Sequence, residues 1–114
     1  MHEDLLEQIR AAAHERRLYF RGHVARRSFE RLQPDNGQVA KMLRNDEPEI
    51  IGYYPEHRGS VVVLVWGMME LPIGREIGHV VCSEPRPDVY IITTYWPDPT
   101  EFMAPEFKQR VTVQ

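Results

Sequence analysis

His79 and Tyr95 stand in β-branched runs, and together with His23 they are the side chains of this chain best suited to moving protons. An imidazole titrates near neutrality, so His23 or His79 can serve as base or acid, while a phenol can orient an anion or donate a proton. The run Ile91-Ile92-Thr93-Thr94-Tyr95-Trp96 reads as a strand halted by Pro97 and Pro99, which lack ladder donors. Alternation assigns Ile91, Thr93 and Tyr95 to one face and Ile92, Thr94 and Trp96 to the other, so a hydroxyl and a phenol point the same way. His79 heads the strand before it and shares a face with Val81. Arg26 and Arg27, close to His23 on one helical segment, offer planar forks that match phosphate oxygens. Arg58 follows His57 in a loop and is a further candidate ligand contact.

Each of these groups also has an ordinary structural reading. A histidine at a helix start can cap it, a histidine among valines can be a satisfied core group, and a rim tyrosine commonly bonds backbone. Arg16, Arg17, Arg21, Arg26, Arg27 and Arg31 form a local basic patch on a chain of net charge −3 and pI near 5.9. That patch is either a phosphate-attracting surface or a solvated helical face. His2, His14 and His57 show no metal-ligand spacing, and no glycine-rich phosphate loop or Gly-x-Ser-x-Gly elbow is present, so neither metal nor cofactor is expected. Cys82, the single cysteine, lies in an apolar run and reads as a buried, inert thiol. An acidic N-terminus and the shortness of the apolar run Val61 to Met69 predict a cytoplasmic protein without membrane contact.

The positioning elements follow from periodicity. Leu5, Leu6, Ile9, Ala12 and Ala13 predict a helix over 4–17, and Ala25, Ser28, Phe29 and Leu32 a second over 23–32. Between them, Leu18-Tyr19-Phe20 reads as a short extended bridge. Asp35 or Asn36 caps a third helix ending near Asn45. Strands are predicted over 49–54, ended by Pro55, then over 61–66, 79–83 and 89–95, with 67–78 as a connecting segment around Pro72 and Gly74. Helices first and strands afterwards define an α+β fold with a small, mostly antiparallel four-stranded sheet. One domain is expected: helices over about 4–45, sheet over about 49–96, and a C-terminal tail over 100–114 that either docks or frays.

Four short blocks carry a resemblance. They are His23-x-x-Arg26, Glu49-Ile50-Ile51-x-Tyr53-Tyr54-Pro55, Gly78-His79-Val80-Val81 and Ile91-Ile92-Thr93-x-Tyr95-x-Pro97-Asp98-Pro99. In this order the chain resembles domain of unknown function 4258, a family grouped with the RelE/ParE-like toxins. The resemblance implies N-terminal helices on a small sheet, in a group whose related folds include metal-independent endoribonucleases, and so a candidate RNA-cleaving face; it does not imply that this chain cleaves RNA. It also implies His23, His79 and Tyr95 as proton-transfer candidates, with Arg26, Arg27, Thr93 and Arg58 toward phosphate or RNA. Expected partners are RNA and a small antitoxin or other protein, and a homo-oligomer stays open. The chain departs from the family in its acidity, which weakens attraction to RNA phosphates, and in its apolar 67–78 link, where Met68 and Met69 hint at a partner surface. Two readings therefore stand: a toxin-like ribonuclease, and a noncatalytic binding or regulatory module on the same fold. Convergence of His23, His79 and Tyr95 within one exposed cleft favours the first, and burial of both histidines against aliphatic side chains favours the second.

Overall fold

The stripe of Leu5, Leu6, Ile9, Ala12 and Ala13 forms α1 (Glu3–His14), with Ile9, Ala12 and Ala13 buried. Glu3 and Asp4 in its first turn and His14 in its last complement the helix dipole. The helix stops before the predicted Arg17: Arg16 turns into the left-handed region at φ 59°, and the Arg17 carbonyl accepts from the Val89 amide at 2.9 Å. The computed structural model describes residues 2–20 and 34–112. His23, Arg26, Arg27 and the predicted 23–32 helix lie outside the described residues. α2 (Asn36–Leu43) begins at a capping box, in which Asp35 accepts from the Gln38 amide at 2.8 Å and the Asp35 amide donates to the Gln38 side chain at 2.9 Å.

The remaining elements are β1 (Leu18–Phe20), β2 (Glu49–His57), β3 (Ser60–Leu71), β4 (Gly74–Ser83) and β5 (Val89–Tyr95). They form one sheet in the order β1-β5-β4-β3-β2, antiparallel except where β1 pairs with β5. The fold is α+β, with five strands in place of the expected four. The fifth is Leu18–Phe20, too short to show an alternation; its pairing with Val89–Ile91 is non-local and parallel, so nothing nearby in the chain announces it. Tyr19 stacks on Tyr90 across that pair, ring centroids 5.5 Å apart.

Two further strand boundaries differ from expectation. β2 runs through Pro55 to His57 because it is an edge strand, and Pro55 falls where the register with β3 shifts. The 67–78 segment is not a connection but the outer half of a long hairpin, paired from Gly67↔Gly78 out to Leu71↔Gly74 around Pro72 and Ile73. Pro72 and Gly74 interrupt the chain only at that turn. Met69 faces the core with no exposure while Met68 points to the opposite face, so the two methionines present no common surface.

α1 and α2 cover one face of the sheet. Val63, Val65 and Met69 of β3, Val80 and Cys82 of β4, and Val89 and Ile91 of β5 meet Ile9, Ala13, Val39, Met42 and Leu43 there. Full burial of each large aliphatic side chain contributes roughly 1.5–3 kcal/mol. Gly67 and Gly78, directly opposite each other, set how closely this layer packs. A Cβ at Gly67 would overlap the Met42 side chain, and one at Gly78 would lie 2.6 Å from the Met69 methyl carbon. No helix among the described residues is long and apolar enough to cross a membrane. Gly67→Ala is expected to destabilise the protein by about 1–3 kcal/mol through overpacking against Met42, read as a lower denaturant midpoint with an unchanged slope.

Candidate functional site

The face of the sheet away from the helices carries the candidate chemistry. Antiparallel pairing sets His79 of β4 opposite Tyr95 of β5 and Val81 opposite Thr93. A register shift between Val81 and Cys82 inserts Ile92 as an extra residue, so Cys82 pairs with Ile91. The bulge reverses side-chain parity along β5. Ile91 therefore packs in the helix-side core, while Thr93 and Tyr95 lie on the opposite face with His79, which corrects the simple alternation expected for Ile91. Thr94 falls on the helix side, where its hydroxyl donates to the Pro34 carbonyl at 3.2 Å.

His79 has no solvent exposure. Its Nε2 lies 2.8 Å from the Phe107 carbonyl and its Nδ1 lies 3.2 Å from the Tyr95 hydroxyl. A carbonyl only accepts, so Nε2 carries a hydrogen and donates it to Phe107. Burial first of all, with Arg110 adding to it, pushes the His79 pKa down from 6.5, against the opposing pull of the Phe107 carbonyl. The ring is therefore neutral near pH 7, and its Nδ1 accepts from Tyr95. Burial pushes the Tyr95 pKa up to about 12, which keeps that hydroxyl protonated. Phe102, itself buried, stands edge-on to His79 with ring centroids 4.5 Å apart.

The cover over this pair is the C-terminal segment, which docks rather than frays. The Trp66 indole donates to the Glu106 carbonyl at 2.7 Å, and Lys108 bonds Glu49 at 2.5 Å while lying 4.3 Å from the centre of the Trp66 ring. Arg110 stacks on Phe102 at 4.8 Å and bonds the Tyr54 hydroxyl, which raises the guanidinium pKa. Phe107 takes a left-handed φ of 55°, an uncommon conformation for a bulky residue, and this directs its carbonyl onto His79.

Of the sequence candidates, His79, Tyr95 and Thr93 come together on one face. Arg58 does not join them: it sits at the β2–β3 turn with φ 51°. Trp66 pairs with His79, and at about 3.3 Å per residue it lies roughly 20 Å along β3 from that turn. His23, Arg26 and Arg27 remain outside the described residues. Trp66, Phe102, Phe107, Lys108 and Arg110 complete the surroundings of the pair without having been candidates, since a loop has no period to mark which of its residues turn inward. A depression of about 280 Å³ between Trp96 and Phe107 lies at the edge of this cover. The larger cavity, about 520 Å³ and lined by His2, Asp4, Leu5, Tyr53 and Arg86 among others, is bounded by neither His79 nor Tyr95. Among the described residues no three His, Cys, Asp or Glu side chains are grouped to hold a metal ion. No protein-family model, curated protein or solved structure matches this chain.

The buried neutral ring links stability to pH. Above 6.5 His79 is neutral in the folded and unfolded chain alike; as pH falls below 6.5 the unfolded chain binds a proton that the folded chain refuses until lower pH. Stability is thus full above that value and is lost as pH falls through the depressed folded pKa. His79→Gln is expected to shrink the drop in thermal midpoint between about pH 7.5 and about pH 5, measured by differential scanning calorimetry on both proteins.

Proposed function

We propose that this protein is a toxin-like endoribonuclease of the RelE/ParE-like kind, with the His79–Tyr95 pair as its proton-transfer centre. The observation that carries the reading is the hydrogen bond between two candidate residues drawn from separate sequence blocks, a neutral imidazole and a protonated phenol 3.2 Å apart, on the sheet face opposite the helices. A neutral histidine is the form a general base requires, and burial under the cover holds the ring in that form. In the working tautomer Nδ1–H donates to the Tyr95 oxygen and Nε2 is free to accept. His79 then takes the proton of a ribose 2′-hydroxyl as that oxygen bonds phosphorus. The bond from phosphorus to the 5′-oxygen breaks, the leaving oxygen receives a proton from a companion acid on the opposite side of phosphorus, and a 2′,3′-cyclic phosphate remains. No net proton is consumed. In the resemblance, Arg26 and Arg27 supply positive charge toward the phosphorane-like state. His23 is the companion acid or base that the resemblance implies, and a small antitoxin is the partner it implies.

A second reading, a noncatalytic binding module, is favoured by one specific observation. His79 is wholly buried with both ring nitrogens bonded inside the protein, as a purely structural histidine is. Incubation of the purified chain with single-stranded RNA separates the two. The ribonuclease reading expects fragments ending in 2′,3′-cyclic phosphate, with the rate reduced about 10²–10⁴-fold in His79→Ala and a smaller loss in Tyr95→Phe. RNA left intact by the wild-type chain and by variants that uncover His79 moves the assignment to the binding module.

A further inference from the structure

We propose that residues 98–112 are an autoinhibitory strap, whose Phe107 carbonyl occupies the atom and the space on His79 that an RNA oxygen needs, so that the pair acts only when the strap lifts. This rests on the ribonuclease reading of His79 and Tyr95. Three observations carry it.

The first is where the strap's own hydrogen bonds go. The amides of Glu101 and Phe102 donate to the Asp98 carbonyl, Met103 to Gln109, Phe107 to Met103, and Val111 to Glu101, all within 2.8–2.9 Å. The one bridge pairing in the segment, Phe102↔Arg110, is also internal. These backbone bonds keep the strap's shape and tie none of it to a sheet ladder. Its fastening to the sheet is by side chains: the Trp66 indole on the Glu106 carbonyl, Lys108 on Glu49 and on the Trp66 face, Arg110 on Tyr54, and the inserted Phe102 ring. A unit closed on itself and held by a few side-chain contacts opens without unravelling the strands beneath.

The second observation is the tautomer. An acceptor-only carbonyl on Nε2 holds the hydrogen there, so the nitrogen that must take up a proton is already occupied. The strap therefore closes the site chemically as well as sterically. The third is that, beside the buried Phe102 ring, the polar part of the latch is partly solvent-facing. Lys108 contributes two of the fastenings, and its ion pair with Glu49 is of the exposed kind that is worth little and yields readily.

The test uses the full chain carrying Lys108→Glu, which repels Glu49 and removes the cation from Trp66, and separately Trp66→Phe, which keeps an aromatic body and deletes only the indole N–H. Far-ultraviolet circular dichroism checks that each is folded. His79 accessibility is read as acylation by diethyl pyrocarbonate, resolved by peptide mass spectrometry, and activity as cleavage of a single-stranded RNA oligonucleotide. Each variant is expected to raise both His79 acylation and cleavage by about two- to tenfold, the shift that one lost fastening of this kind gives to an opening equilibrium. Adding His79→Ala should abolish the cleavage. Acylation no faster than wild type in both folded variants overturns the strap. Wild-type cleavage as fast as that of the variants also overturns it and leaves the ribonuclease reading standing. Faster acylation with RNA intact throughout overturns the ribonuclease reading, and the inhibitory role with it.

Discussion

An imidazole sealed from water must find a partner for each ring nitrogen, because a buried polar group left unpaired costs about 1–3 kcal/mol. His79 meets that requirement with two elements far apart in the chain: the Tyr95 hydroxyl on the neighbouring strand and the Phe107 carbonyl in the C-terminal segment. Much of the molecule's second face follows from this. The requirement selects the register in which His79 faces Tyr95, and it draws the C-terminal segment over the sheet, where Phe102 fills the space beside the ring. The burial that comes with this pairing accounts for the direction of both pKa shifts. Burial disfavours charge on either group, so a neutral imidazole and a protonated phenol persist together at neutral pH.

The sheet separates two kinds of packing. On the helix side the contacts are aliphatic, close and dependent on glycines: Met42 sits where a side chain at Gly67 would stand, and Met69 does the same over Gly78. That layer is non-directional in its attraction and demanding in its volumes. On the other side the contacts are aromatic and polar, with defined geometry but fewer of them, and the segment that makes them has its own internal hydrogen bonds. One face therefore secures the fold. The opposite face has an imidazole paired with a phenol, under a cover that the sheet does not depend on for its ladders.

Strand parity shows how closely sequence reading approached the site and where it stopped. The composition of the Ile91–Tyr95 run marks it as a strand, and alternation puts Thr93 with Tyr95 and His79 with Val81, while the register of β4 on β5 is what brings the two pairs together. Ile91 was assigned to that same face, and the bulge at Ile92 moved it to the core, because an inserted residue leaves no mark in composition. In the same way Pro55 and Pro72 read as strand breakers. Whether a proline ends a strand depends on whether its missing donor faces a partner or solvent, and the edge position of β2 decides that. The aromatic and basic residues of the C-terminal segment carried no signal of their roles. Phe102 and Phe107 have no period, and a loop's contacts are set by where the rest of the chain brings it.

Local physics was thus enough to mark the central stretch of α1, α2 and β2 to β5, though not their bounds. The apolar spacing of α1, the Asp35 cap of α2, and the β-branched runs of β3, β4 and β5 each act over a few residues and are written in order along the chain. The tertiary structure alone decided which of those elements meet. It decided the parallel pairing of Leu18–Phe20 with β5, the long hairpin through Leu71 and Gly74, and the closure of the C-terminal segment over His79. The physical reason is the same in each case. Pairing a strand edge, filling the space above a glycine and satisfying a buried nitrogen are demands that one residue creates and a distant one meets, and a distant partner has no fixed spacing by which a sequence can announce it.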